Sequence, residues 1–251
     1  MADKAFEAPF IPTGRTITAN VGEKTLSRKN LSGLRSPGLF AKRPAIGFMM
    51  FLLGSLAFGV LVFNLRTAGP LIALDMSLYN EFHSQAMDAS GRINEMMLLG
   101  FFLGKEFIQV FFVILGLYLL YKRLRLELAL LLIGSGGGSL LWRSFNIVFD
   151  RPRPPEQLGI FVGNPSFPSG HAMSAIIFYG LLAYLLVPIM PSRFWKWLIV
   201  IFMLMLIALG GYSRLFQGSH YLTDVLAGYA LGIAWAGFIF TLLEKYFEKE
   251  K

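Results

Sequence analysis

The apolar positions of this chain fall in long runs broken by short polar stretches. Six runs approach the roughly 20 residues that a helix needs to cross a hydrocarbon core. They cover 45–65, 103–121, 126–149, 170–187, 194–212 and 222–243. The pattern predicts an all-α polytopic membrane protein with six transmembrane helices. Between the first two runs, Leu71, Leu74, Leu78 and Phe82 recur at spacings of three and four. That spacing predicts a short amphipathic helix in the membrane interface, serving as a lid or a lateral wall. Residues 1–44 hold no apolar run of the signal-peptide kind. Rich in Lys, Arg, Ser, Thr, Gly and Pro, they predict a basic, flexible tail ahead of one domain over 45–245. The run Gly134-Ser-Gly-Gly-Gly-Ser139 lies mid-span, where small residues let helices approach closely, and is read as packing.

Composition agrees. A soluble chain of this length carries about a quarter charged residues, whereas this one has 15% charged, 55% hydrophobic and no cysteine. Its mean hydropathy is +0.58. The absence of cysteine excludes disulfides, thiolate catalysis and cysteine-ligated metal. The net charge of +8 invites a nucleic-acid partner, but eight of the 23 Lys and Arg lie in the first 44 residues. No basic groove interleaved with aromatics follows, so a nucleic acid is not expected.

The remaining cations report topology. Lys42 and Arg43, then Lys122, Arg123 and Arg125, then Arg193 and Lys196, then Lys245, Lys249 and Lys251 fall on one side. The more basic side is cytoplasmic, so both termini are predicted there, with the chain an integral protein of the plasma membrane (the inner membrane of a bacterial envelope).

Three polar clusters interrupt the runs: Arg151-Pro-Arg153-Pro154, Pro168-Ser169-Gly170-His171, and Ser213-Arg214-x5-His220-x3-Asp224. With six spans, all three fall at one extracytoplasmic level. His220 and Asp224, four apart at a helix start, share a face. A carboxylate there holds one imidazole nitrogen and leaves the other to attack, which makes His220 a candidate nucleophile through a phosphohistidine. The alternative is a plain interfacial His–Asp pair. Ser169 reads as an N-cap, and the helix start behind it is an anion site that would bring His171 to a leaving oxygen as general acid. Arg153 and Arg214 suit bidentate phosphate binding, against the alternative of interfacial snorkelling.

The clusters resemble the three signature motifs of the type 2 phosphatidic acid phosphatase (PAP2) superfamily: Lys-x6-Arg-Pro, Pro-Ser-Gly-His and Ser-Arg-x5-His-x3-Asp. The second matches in full at 168–171 and the third at 213–224. The resemblance implies a PAP2-like helical bundle with an outward-facing site, working without metal or cofactor on a lipid phosphate in the bilayer. It implies His220 as nucleophile, Asp224 as its orienting partner and His171 as acid and base, with Arg153, Ser169, Gly170 and Arg214 around the phosphate. The first motif departs from the pattern, because Asn146 stands where the family has lysine. Arg143, one helical turn earlier, and Arg151 are the candidates to restore that charge, with Arg143 slightly favoured. The departure bears on catalytic strength and substrate choice. Phosphoryl transfer to a second lipid is one alternative activity; a weakened lipid-binding or flippase-like protein is another. Nothing in the sequence specifies an oligomeric state.

Overall fold

The computed structural model describes residues 44–88, 98, 100, 104–155, 163 and 165–249. The predicted tail and most of the 155–167 loop lie outside them. Among the described residues there are seven α-helices and no strand: α1 Pro44–Thr67, α2 Pro70–Asp88, α3 Lys105–Tyr121, α4 Arg125–Phe149, α5 Gly170–Leu186, α6 Arg193–Phe216 and α7 Leu222–Lys249. A turn of 3-10 helix, Val187–Ile189, extends α5. Five helices are long and apolar enough to cross a membrane: α1, α4, α5, α6 and α7. The predicted 103–121 span is represented by α3, whose 17 residues reach only about 25 Å at the α-helical rise.

Large apolar side chains cover the outside of the bundle, including Leu53, Leu56 and Phe63 of α1, Leu140 of α4 and Trp197 of α6. Such a continuous apolar exterior fits hydrocarbon, not water. Inside, α5 is the hub, packed against α3, α4, α6 and α7. One buried cluster joins Leu131 of α4, Leu181 and Leu185 of α5 and Ile239 of α7 at the end away from the motifs. A second gathers Phe58, Phe167, Met173, Ile177 and Leu231 beneath the motif loops. The Gly134–Ser139 run serves packing, as expected. Trp235 Nε1 donates to the Gly134 carbonyl at 2.9 Å, and a Cβ at Gly137 would fall 2.4 Å from the same indole.

The first and last helices are pressed together along their length. A Cβ at Gly54 would lie 2.6 Å from the Ala234 backbone nitrogen and 2.7 Å from the Ala230 carbonyl oxygen. Backbone cannot step aside as a side chain can. Gly54→Leu is therefore expected to destabilise the protein by about 1–3 kcal/mol or more, read as a lower melting temperature in detergent. Gly59, which meets nothing within 4 Å, supplies the control: Gly59→Ala should hold or slightly raise that temperature.

The amphipathic helix predicted between the first two runs is α2, but its inward face is not the leucine stripe. Asp75, Tyr79 and Ala86 are buried, while Leu74 is 42% and Met76 44% exposed. Tyr79 meets Tyr221 edge-on and Phe82 meets Tyr212, so α2 lies over the start of α7 and the end of α6. Leu71, Tyr79, Phe82 and Ala86 thus share the inner side with Asp75, while Leu74 and Met76 face outward.

Candidate active site

Helix α4 ends because Asp150 adopts a left-handed conformation, φ 42° and ψ 40°. That turn throws Arg151–Pro155 across the end of the bundle. Ser166 ties this segment to the second motif, its N–H donating to the Arg151 carbonyl at 2.8 Å and its hydroxyl to the Pro152 carbonyl at 3.1 Å. Trp142 Nε1 donates to the Pro168 carbonyl at 2.9 Å. A Cβ at Gly170 would strike the same indole at 2.7 Å. Ser169 is fully buried; its hydroxyl caps α5 by accepting from the Ala172 N–H. Its own N–H donates to the Asp224 carbonyl at 2.9 Å, which joins the second motif to the third. In the third, the chain turns from α6 to His220 through Gly218, whose φ of 62° suits glycine above other residues.

These backbone ties bring the two histidines side by side, with ring centroids 6.5 Å apart. Each Nε2 meets a guanidinium group. Arg153 Nη1 lies 3.3 Å from His220 Nε2 and donates to the Ser219 carbonyl at 2.5 Å. Arg214 Nη1 lies 3.4 Å from His171 Nε2, while its Nη2 donates to the Gly100 carbonyl at 2.6 Å. On the other edge of the His220 ring, Nδ1 lies 3.6 Å from Asp224 Oδ2. That is just beyond hydrogen-bond length, and this buried Nδ1 has no nearer partner. Burial pushes the imidazole of His220 below its ordinary value of 6.5; Arg153 and Arg214 add to the effect and Asp224 opposes it. The favoured species is thus a neutral ring with its proton on Nδ1, toward the carboxylate, and a lone pair on Nε2 among the arginines.

Both oxygens of Asp224 are engaged. Oδ1 accepts from Arg151 Nη1 at 2.6 Å, and Oδ2 accepts from the Tyr221 N–H at 2.9 Å. The second bond, from the residue before α7 to a side chain three positions on, is half of a capping box. Arg151 also donates through Nη2 to Asp75 Oδ2 at 2.8 Å and through Nη1 to Thr223 Oγ1 at 2.8 Å. Its guanidinium stacks 4.3 Å above the Tyr221 ring.

The candidates to replace the family lysine therefore part company. Arg143 lies on the exposed face of α4. Three residues of α-helix turn through about 300°, and the remaining 60° carries Arg143 out of the face that holds Asn146. Of the two candidates it is Arg151 that joins Arg153 and Arg214 in the cluster, committed to two carboxylates. Asn146 is buried and clips α4 to the second motif, its Nδ2 donating to the carbonyls of Pro165 at 2.8 Å and Phe167 at 3.3 Å. Arg143→Ala should leave turnover within about twofold. Arg151→Ala should cost about 3–5 kcal/mol of stability by stranding buried carboxylates, read as a lowered melting temperature beside phosphate release.

Sequence reasoning missed Asp75, Thr223 and Tyr221 as members of this cluster. The available signal for Asp75 was a lone carboxylate in the apolar stretch Leu71–Leu78, opposite motif arginines on the side otherwise poorer in cations.

The family model for the PAP2 superfamily matches residues 126–248. Phosphatidylglycerophosphatase B of Bacillus subtilis (strain 168) is 33% identical over 162 residues, 63% of this chain and 77% of that one. The chain belongs to the PAP2 superfamily. A crystal structure described as the first transmembrane PAP2 type phosphatidylglycerolphosphate phosphatase from Bacillus subtilis shares its fold. The TM-score is 0.64 at 24% identity, over 81% of this chain and 96% of that one. Membership supports a phosphatase of membrane lipids, carried by an integral membrane protein.

Proposed function

We propose that this PAP2-superfamily protein removes phosphate from a lipid head group through a covalent phosphohistidine on His220. The observation that carries the reading is the opposed arrangement around the two rings: Asp224 behind Nδ1 of His220, and Arg153 and Arg214 at the Nε2 atoms of His220 and His171. Nε2 of neutral His220 attacks phosphorus, and the P–N bond forms as the P–O bond to the lipid breaks. Protonated His171 gives its proton to the departing oxygen. Neutral His171 then takes a proton from water, whose oxygen displaces His220 and leaves inorganic phosphate. Arg153, Arg214 and the start of α5 at Ser169 and Gly170 carry the charge on the phosphoryl oxygens.

The arginines supply the fixed positive charge that the transferring group requires, so the reaction is read as metal-independent. Chelator should leave the rate unchanged. The named relative makes phosphatidylglycerophosphate the first substrate to test, ahead of phosphatidate, a polyprenyl diphosphate and lipid A. A segment including α3 completes six spans, with both termini cytoplasmic and the site at the outer face of the plasma membrane. The experiment is phosphate release from detergent-solubilised protein across those four lipids. Release that depends on His220 supports the reading and ranks the substrates. Silence from folded, lipid-binding protein would turn it toward phosphoryl transfer or lipid binding.

A further inference from the structure

Asp75 belongs to α2, outside the stretch matched by the family model, yet its side chain is fully enclosed at the catalytic end. Burying a carboxylate is costly unless strong donors surround it, and here three do. Oδ1 accepts the Thr223 N–H at 2.8 Å, while Oδ2 accepts the Thr223 hydroxyl and Arg151 Nη2. The first of these satisfies an amide in the opening turn of α7, where helical N–H groups lack partners. The third fixes one arm of Arg151, whose other arm holds Asp224 Oδ1. Thr223 and Asp224 are neighbours, so Asp75 grips the same turn twice, through the backbone and through the guanidinium.

We propose that Asp75 is a positioning residue for the nucleophile. It holds Arg151 and the first turn of α7 so that Asp224 keeps its orientation toward His220 Nδ1. This deepens the phosphohistidine reading and rests on it for its catalytic consequence. It also assigns Arg151 a place in the ion-pair network, away from the phosphate oxygens, and makes α2 a working wall of the site. With Asp75 neutral, Arg151 is drawn wholly to Asp224 and loses its second anchor, and the Thr223 amide loses its charged acceptor.

The test uses Asp75→Asn in the full chain, which keeps size and one carbonyl oxygen. Asp75→Ser is the second variant should the amide not fold. Two readouts are taken: phosphate release, and the titration of His220 by NMR of protein with 15N-labelled histidine. With three histidines in the chain, single replacements assign the signals. The groups facing the His220 ring are Asp224 of α7, Arg153 of the motif loop, Arg214 of α6 and His171 of α5. Behind Asp224 stand Arg151, Tyr221 and Asp75. Removing one negative charge from this set disfavours the imidazolium, so the His220 titration should move to lower pH by about half a unit or more. The kcat should fall about tenfold with KM within about twofold, as for a group that acts through another.

An unchanged titration in folded Asp75→Asn protein would overturn the proposal, as would an unchanged kcat in an enzyme whose activity depends on His220. Failure of the phosphohistidine reading looks different: His220→Ala would then keep its activity. The titration of His220 would still decide whether Asp75 sets its environment.

Discussion

Replacing His220 with alanine is expected to lower phosphate release by at least about 10⁴-fold and to abolish any trapped phosphoenzyme. The size follows from the role: the side chain would form the bond, not merely steady it, and nothing nearby replaces it. His171 is the other imidazole in the cluster, with its centroid 6.5 Å away, and in the proposed reaction it serves as the acid, not as the attacking group. The wild-type pH profile should bear the same signature. Because burial pushes His220 below its ordinary 6.5, its neutral form persists as the solution turns mildly acidic. After correction for substrate ionisation, kcat/KM should hold from neutrality to below 6.5 and fall only as pH passes the depressed value. Wild-type rates in His220→Ala would sink the nucleophile assignment. An acidic limb above 6.5 would contradict the buried, neutral ring.

Asp224→Asn should cost about a thousandfold or more in kcat, although it alters a single atom. The carboxylate accepts on both oxygens, from Arg151 Nη1 at 2.6 Å on one and the Tyr221 N–H at 2.9 Å on the other. An amide has one oxygen. In either orientation its NH2 group faces a donor, and one of the two bonds becomes a donor–donor collision. If the NH2 takes the inner position, it also meets the proton on His220 Nδ1, which favours the other tautomer and places a proton on the nitrogen that should attack. A combined kinetic and circular-dichroism measurement separates this from unfolding: near-native helix content with the predicted loss supports the role. Activity within about tenfold of wild type would show that the carboxylate does not set the tautomer.

The large features of this protein are written in local patterns, and these could be read. Five of the six expected spans follow from apolar length, Ser169 as a cap follows from its place before a helix, and the Gly134–Ser139 run is used for packing as its composition implied. Helix counting puts the ends that carry His171, His220 and Asp224 at one level, and the backbone tie from Ser169 to Asp224 brings them together. The errors arose where a side chain's direction depends on another helix. Helical spacing favoured Arg143, but the left-handed turn at Asp150 redirects the chain and delivers Arg151 to the cluster. The leucines of α2 signalled a face without saying whether protein or membrane would receive it. Asp75 was missed because its partners, Arg151 and Thr223, are 76 and 148 residues away. No short-range pattern encodes a contact at that separation.

The backbone contact of Gly54 with Ala230 and Ala234 also bears on how the protein is made. Helix α1 is synthesised well before α7, so its glycine face lacks that partner until α7 has been made. The residues proposed to do the chemistry follow the same order, since His220 and Asp224 sit at the threshold of that last helix. A nascent chain that has made α5 but not α7 therefore carries Arg151, Arg153 and His171 without the proposed nucleophile, and the candidate site is complete only once α7 has packed.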